Sequence, residues 1–443
     1  PLAAPPTPTP HPHPHRKRKG RERGTTKRDF LPQAQVSASE RAPRAFPPPP
    51  DMTPHLTVSS HPAHHPLDAL PPSHNCRRRR RRFCPPRARA SPPSSVRCCA
   101  AAAAAVPQPP RAVEAAAKTR VFVVSDLHTD YQENMDWVRR LAVGVGSAPG
   151  AGEGVNALVV AGDVAETRDN FARTMGALRD QFDAVFYVPG NHDLWLRREG
   201  GRYMDSVEKL NALLDACSEL GVDTGPKTIG DLGIIPLFSW YHKSFDKERD
   251  LTSVRVPSLE MACKDFHACK WPSDLGSDDE ALALYFDQLN EKYNDAIEEV
   301  KKNSKQILTF SHFVPRQELC PEKRMLYYPN LPKLIGSDYL ERRLRAIHKS
   351  AEAGAACHVF GHTHFCWDSV VDDIRYVQAP LAYPRERKRR MNGEGWLPFC
   401  VYRDGFNPEI YPAMWSDYYN KNEREPENTQ PAPWVALHFR KYF

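Results

Sequence analysis

The chain has 443 residues and a formal net charge of +7, a figure that describes neither of its parts. Residues 1–118 carry 21 Lys and Arg against 6 Asp and Glu, a net of +15, whereas residues 119–443 carry 40 against 48, a net of −8. No run of about 18 apolar residues occurs, so no membrane-spanning helix and no membrane partner are expected.

The basic tail, residues 1–118, is rich in Pro, Ala, Ser, His and Arg and lacks apolar periodicity, so it is expected to be disordered. Its first methionine is Met52, and residues 1–51 are expected to precede the translated start. From Met52 to Val113 the one acidic residue is Asp68. That acid-poor, Arg- and Ser-rich composition predicts a transit peptide over about 52–100 and a plastid (chloroplast) location, with the cytoplasm as the alternative. Arg77–Arg82 alternatively predicts a nucleic-acid contact confined to the tail, sequence-independent and salt-sensitive. Of eleven cysteines, four lie in the tail and seven are scattered without a paired zinc spacing, which predicts reduced thiols. Cys263 and Cys269 are the pair at which redox behaviour is looked for.

From residue 119 onward, short apolar runs recur, and each ends in a polar motif. Arg120–Ser125 leads into Asp126-Leu127-His128, Ala157–Ala161 into Gly162-Asp163, and Ala184–Val188 into Gly190-Asn191-His192-Asp193. Ile307–Phe310 leads into Ser311-His312, and His358–Phe360 into Gly361-His362-Thr363-His364. Continuous apolar runs of this length predict strands buried on both faces. Between them, Met204, Val207, Leu210, Leu214, Cys217 and Leu220 are spaced as one helix face. A second helix is predicted from a Ser277–Glu280 capping pair through Leu282, Phe286, Leu289, Tyr293 and Ile297 to Lys301-Lys302. Residues 241–276 and 313–336 break the pattern; the first is expected to be an insertion or cap near the site, the second an irregular loop. Strands alternating with helices predict an α/β domain over 119–443, with ligands gathered at the carboxyl ends of the strands.

The motifs bring together hard and borderline metal ligands. In Asp126-x-His128 and His362-x-His364 the pairs are two apart, so in an extended segment both side chains project to one side. Glycine before Asp163 lets the backbone turn and approach closely. Asn191 offers a carbonyl oxygen and His312 an imidazole, the latter in a Ser-His-Phe context with no glycine frame. Mixed N/O ligation suits Mn, Fe or Zn better than Ca.

Five motifs in this order resemble the calcineurin-like metallophosphoesterase family. The resemblance implies a four-layer sandwich of two packed mixed β-sheets flanked by helices. It assigns Asp126, His128, Asp163 and His364 to one ion, and Asp163, Asn191, His312 and His362 to the other, with Asp163 bridging. Two divalent or trivalent ions would then bind the phosphoryl oxygens and activate a bridging hydroxide for in-line attack. His192 would serve as acid or hydrogen-bond donor at the leaving oxygen, with Asp193 orienting its ring; the alternative for Asp193 is a helix N-cap. The chain lacks the Asp-Arg-Gly and Asn-His-Glu sequences of phosphoprotein Ser/Thr phosphatases, reading Gly162-Asp163-Val164 and Asn191-His192-Asp193 instead. The expected substrate is a phosphorylated small molecule or nucleotide-type pyrophosphate, mono- or diester. The expectation from another class is a non-catalytic scaffold that keeps the fold. Candidate substrate-side residues are Trp240, Tyr241, His242, Arg316, Tyr383 and Arg385, although Trp240 also reads as core and the basic run 385–390 as a solvated face.

Overall fold

A computed structural model of the chain describes residues 118–141, 154–275, 279–349, 351–389 and 393–442. The tail with its expected transit segment, and the Ser277 cap, lie outside the described residues.

The predicted strands form, and they form where both faces are covered. Strands β1 (Lys118–Val124), β2 (Gly154–Ala161) and β3 (Ala184–Val188) run parallel. With β10 (Phe399–Arg403) antiparallel to β1, they give a four-stranded sheet ordered β10-β1-β2-β3. The second sheet is ordered β4-β5-β6-β7-β9-β8. Its four central strands, β5 (Leu232–Pro236), β6 (Gln306–Phe310), β7 (Ala356–Phe360) and β9 (Ile374–Gln378), are parallel. Its edges, β4 (Lys227–Ile229) and β8 (Trp367–Val371), are antiparallel. The two mixed sheets and their helices are the α/β architecture expected. Every residue of β3, β5, β7 and β9 is buried, which is why β3 reads as an unbroken apolar run, whereas β7 and β9 also bury His358, Arg375 and Gln378. Burial of each Val, Ile or Phe contributes roughly 1.5–3 kcal/mol.

The helices follow local chemistry. Helix α1 (Gln132–Arg140) follows the first motif. Helix α2 (Arg168–Arg179) is capped by Thr167, whose hydroxyl accepts the Asn170 N–H. Helix α3 (Ser206–Leu220) is capped by Asp205 and ends at Gly221, at φ +68°. Its inward face is Lys209, Leu210, Leu213, Ala216 and Cys217; Met204 lies before the helix and is exposed. Of the stretch 241–276, residues 241–275 are described and fold into short turns and two four-residue helices, α4 (Leu259–Ala262) and α5 (Asp265–Ala268). The helix predicted through 302 is broken into α6 (Asp279–Gln288), a 3-10 turn at Glu291–Tyr293, and α7 (Asn294–Asn303). Asn290 sits at the break: its buried amide accepts the Phe238 N–H, donates to the Phe238 carbonyl and also reaches the Phe286 and Asp287 carbonyls, competing with the helix's own bonds. Helices α8 (Asp338–His348) and α9 (Pro384–Arg387) complete the surroundings of the site.

The sheets are stitched together at their carboxyl ends. Ser125, just after β1, donates its N–H to Ala379 and accepts from Leu381, just beyond β9. Asp126 in turn donates its N–H to Gly162 and accepts from Ala382. No helix among the described residues is long and apolar enough to cross a membrane. The seven described cysteines are all free, Cys263 and Cys269 included.

Candidate metal centre

All five motifs converge on this seam, but not through extended backbone. Five of the seven expected ligands sit at positive φ: Asp126 (+53°), His128 (+42°), Asp163 (+55°), His362 (+76°) and His364 (+58°). Strand alternation therefore does not bring Asp126/His128 and His362/His364 together: all four residues are left-handed, at roughly 1–3 kcal/mol per non-glycine residue. Close approach also demands glycine. A Cβ on Gly162 would lie 2.4 Å from His312 Nδ1, and one on Gly190 would lie 2.1 Å from Asp163 Oδ1.

The donor atoms form two clusters flanking Asp163. On one side, His128 Nε2 lies 3.1 Å from His364 Nε2, His364 Nε2 lies 3.3 Å from Asp126 Oδ1, and His128 Nε2 lies 3.8 Å from Asp163 Oδ2. On the other, Asn191 Oδ1 lies 3.1 Å from His312 Nε2 and 3.0 Å from His362 Nδ1, and His312 Nε2 lies 3.5 Å from Asp163 Oδ1. The remaining ring nitrogens are held from behind. His312 Nδ1 meets the Ala161 carbonyl at 2.9 Å, His362 Nε2 the Leu334 carbonyl at 3.0 Å, and His364 Nδ1 the Glu386 carboxylate at 2.8 Å. His312 and His362 donate outward to carbonyls, so their inward nitrogens present lone pairs toward Asn191 Oδ1 at 3.1 and 3.0 Å. Those facing lone pairs repel unless a cation sits among them. Asp126, His128 and His364, and Asp126, Asp163 and His312, are each grouped closely enough to hold a metal ion.

The charges carry the same message. Burial, reinforced by Asp193 and Asp126, pushes Asp163 well above the ordinary carboxylate range. Burial holds His128 and His192 well below the usual imidazole value and His362 down at about 3. Burial opposes a charge on His364, but Asp126 and Glu386 outweigh it and push the imidazole up to about 10. A carboxylate that resists ionising at Asp163 and neutral imidazoles at His128, His312 and His362 are what divalent cations convert into a favourable arrangement, with His364 giving up its proton to ligate.

The neighbours of His192 depart from expectation. Its ring stacks on Trp195 at 3.7 Å and its Nε2 lies 3.4 Å from the Tyr383 hydroxyl, while its buried Nδ1 has no hydrogen-bond partner among the described residues. Asp193 does not orient it. The Asp193 carboxylate accepts the backbone N–H groups of Asp163, Val164, Ala165 and Gly190 at 2.8–3.0 Å, and the Tyr187 hydroxyl at 2.9 Å. It is a buried frame for the Asp163 loop.

Of the substrate-side candidates, Tyr383 lines the site; its ring centroid is 4.5 Å from that of His128. Trp240 and Tyr241 are buried core, with Trp240 packed among Phe286, Trp271 and Phe313. His242 bonds Ser244. Arg316 is turned to Glu318 and Asp372, at 2.8 and 2.6 Å, and so is committed to ion pairs. Arg385 is exposed, yet Glu386 and Arg387 in the same run are buried, so the run is not a uniform solvated face. Several contributors lacked a motif: Glu386 behind His364; Asp265 behind Asn191; and Lys209, fully buried, whose ammonium binds the Glu166 and Trp195 carbonyls at 2.7 Å each. A lysine inside an apolar helix face was the available signal for the last.

Residues 119–366 match the calcineurin-like phosphoesterase family. The acyl-carrier-protein phosphodiesterase PptH of Mycobacterium tuberculosis is 24% identical over 317 residues, covering 68% of this chain and 88% of the relative. The crystal structure of the phosphopantetheinyl hydrolase PptH from Mycobacterium tuberculosis aligns with 62% of this chain and 94% of its own, at 22% identity and a TM-score of 0.48. A putative 5'-nucleotidase from Staphylococcus aureus, in complex with alpha-ketoglutarate, aligns with 59% of this chain and 48% of its own, at 14% identity and a TM-score of 0.29. The family match spans more than half of the sequence, and this chain belongs to the calcineurin-like phosphoesterases.

Proposed function

We propose that the seam holds two divalent cations and hydrolyses a phosphodiester, and that its substrate is a carrier protein bearing a phosphopantetheinyl group. Family membership and the curated relative make the chain a metal-dependent phosphoesterase. The observation that carries the two-cation reading is Asp163: one carboxylate oxygen faces His128 and the other faces His312, as a bridging ligand requires. Asp126, His128 and His364 complete one set, and Asn191, His312 and His362 the other. Bound cations supply Lewis acidity toward phosphoryl oxygens and lower the pKa of water. Mn, Fe and Zn all suit this donor set.

The chain's own groups do the rest. His192 lines the cavity beside Asp163 and Tyr383, and its Nε2–H donates to the departing oxygen. Trp195 and Tyr383 hold that ring in place of the expected Asp193. Lys264, Leu331 and Leu334 also line the cavity. Lys264 is half-buried, with no carboxylate within ion-pair distance among the described residues, and attracts an anionic substrate. The carrier-protein substrate rests on the relative's name and is the finer part of the reading.

The test assays the full chain, purified without chelator, against aryl phosphomonoester, aryl phosphodiester and a phosphopantetheinylated carrier protein. Each is run with Mn²⁺, with EDTA, and beside Asp163→Asn. The reading expects metal-dependent release of the phosphopantetheinyl group, seen as a mass loss from the carrier and absent in the variant. Turnover of the monoester alone would overturn the diester assignment.

A further inference from the structure

Asn191 is ambiguous in a way the histidines are not. Its amide has an acceptor end and a donor end of almost the same shape, and only the oxygen can serve a cation. Both inward histidine nitrogens beside it present lone pairs, because His312 Nδ1 and His362 Nε2 are committed to carbonyls. If the amide turned over, its NH₂ would donate to those lone pairs and close the site to a cation. Something must therefore pin the amide, and the five motifs contain nothing that does.

The pin comes from the irregular stretch 241–276. Asp265, the first residue of α5, is 4% exposed, and its Oδ1 accepts the Asn191 Nδ2–H at 2.9 Å. The same oxygen accepts the Trp195 Nε1–H at 2.7 Å. Trp195 is the surface on which the His192 ring stacks. A carboxylate oxygen cannot donate, so it accepts only the NH₂ end of Asn191 and leaves the carbonyl between His312 and His362.

We propose that Asp265 is a positioning residue that sets both the ligating face of Asn191 and, through Trp195, the plane of His192. The proposal rests on the reading of Asn191 as a ligand. It assigns a task to the cap: residues outside the five motifs decide which way a motif side chain points. An acceptor rather than a charge is needed, since both bonds end on one oxygen. Asparagine at 265 can present its own carbonyl there, whereas leucine cannot.

The experiment titrates the metal-free full chain with Mn²⁺ and reads affinity and stoichiometry rather than turnover. The variants are Asp265→Leu, Asp265→Asn and Asn191→Ala, each checked for native circular dichroism. The expected result is about 10–100-fold weaker binding of one of two ions in Asp265→Leu, the scale seen when a group behind a ligand is lost. Asp265→Asn should stay within a few-fold of the native chain. Asp265→Leu should also shift the Trp195 emission, because the indole loses its acceptor, and lower kcat more than it changes KM. Native affinity in Asp265→Leu alongside a loss in Asn191→Ala would overturn the positioning role alone. Native affinity in Asn191→Ala would overturn the ligand reading beneath it. Equal losses in Asp265→Leu and Asp265→Asn would show that charge matters and overturn the acceptor argument. Should Asp265→Leu not fold, Asn191→Asp replaces it. Two facing carboxylates weaken Mn²⁺ binding there, and adding Asp265→Asn restores it; no restoration overturns the coupling.

Discussion

The Asp193 carboxylate accepts the backbone N–H of Asp163 at 2.9 Å, thirty residues back along the chain. With Val164, Ala165, Gly190 and Tyr187 it gathers five donors in a fully buried position. The donors hold the positive-φ loop that presents Asp163. Asp193→Asn places an NH₂ against some of those N–H groups and leaves buried donors unpaired, at about 1–3 kcal/mol each. The expected loss is about 3–5 kcal/mol in denaturant unfolding, with metal binding lost alongside. An Asp193→Asn protein of native stability and metal content, slowed only in turnover, would return Asp193 to the orienting role.

His192→Ala should behave in the opposite way. The ring touches Trp195 and Tyr383 but accepts no obligatory backbone bond, so stability should fall by no more than about 1–2 kcal/mol, mostly lost stacking. Metal content should be native. Turnover should drop about 10²–10⁴-fold, the usual range for removing a group that donates to a leaving oxygen. A leaving group of low pKa should narrow that loss; an unchanged deficit with such a substrate argues that His192 acts elsewhere.

Lys264→Ala tests the cavity lining. Burial and the nearby Arg197 lower the Lys264 ammonium from its ordinary value and Glu166 offsets this only in part, so an anion bound beside it would favour the charged form. Its removal should raise KM several-fold for an anionic ester and leave kcat nearly native, with a weaker dependence on ionic strength. A kcat effect larger than the KM effect would place Lys264 nearer the reacting phosphoryl group than the structure puts it.

How far the sequence carried is visible in particular residues. Ala184–Val188 could be read as β3 without error because a strand buried on both faces leaves an unbroken apolar run. The helix through 302 could not, because at its break one asparagine binds a backbone segment just beyond β5, fifty-two residues away. The candidate ligands were legible as motifs, but the reason their side chains converge was not: alternation assumes extended backbone, and Asp126, His128, His362 and His364 are all left-handed. Asp193 sits next to His192 in sequence and serves a different loop, so adjacency misled. Asp265 lies in a stretch with no periodicity, and only folding brings it to Asn191.

A last prediction concerns pH and a histidine outside the metal cluster. His348, at the end of α8, is 6% exposed, with Nε2 2.9 Å from the Thr309 hydroxyl and no partner at Nδ1. Burial, with Lys301 nearby, holds it down at about 4, against 6.5 for the unfolded chain. Between those values the unfolded chain takes up a proton that the folded chain refuses, so folding is penalised as pH falls through the window. The stability tied to neutral His348 is complete above about 6.5 and is lost progressively toward about 4. The shift corresponds to about 3 kcal/mol when fully expressed, an order-of-magnitude figure. His348→Gln removes the titration and can keep a hydrogen bond to Thr309. Denaturant unfolding of both metal-free proteins at pH 7.5 and 4.5 should show the native chain losing about 2–3 kcal/mol more than the variant. The ligand histidines titrate in both proteins and cancel in that difference, so parallel losses would mean that His348 is protonated in the fold.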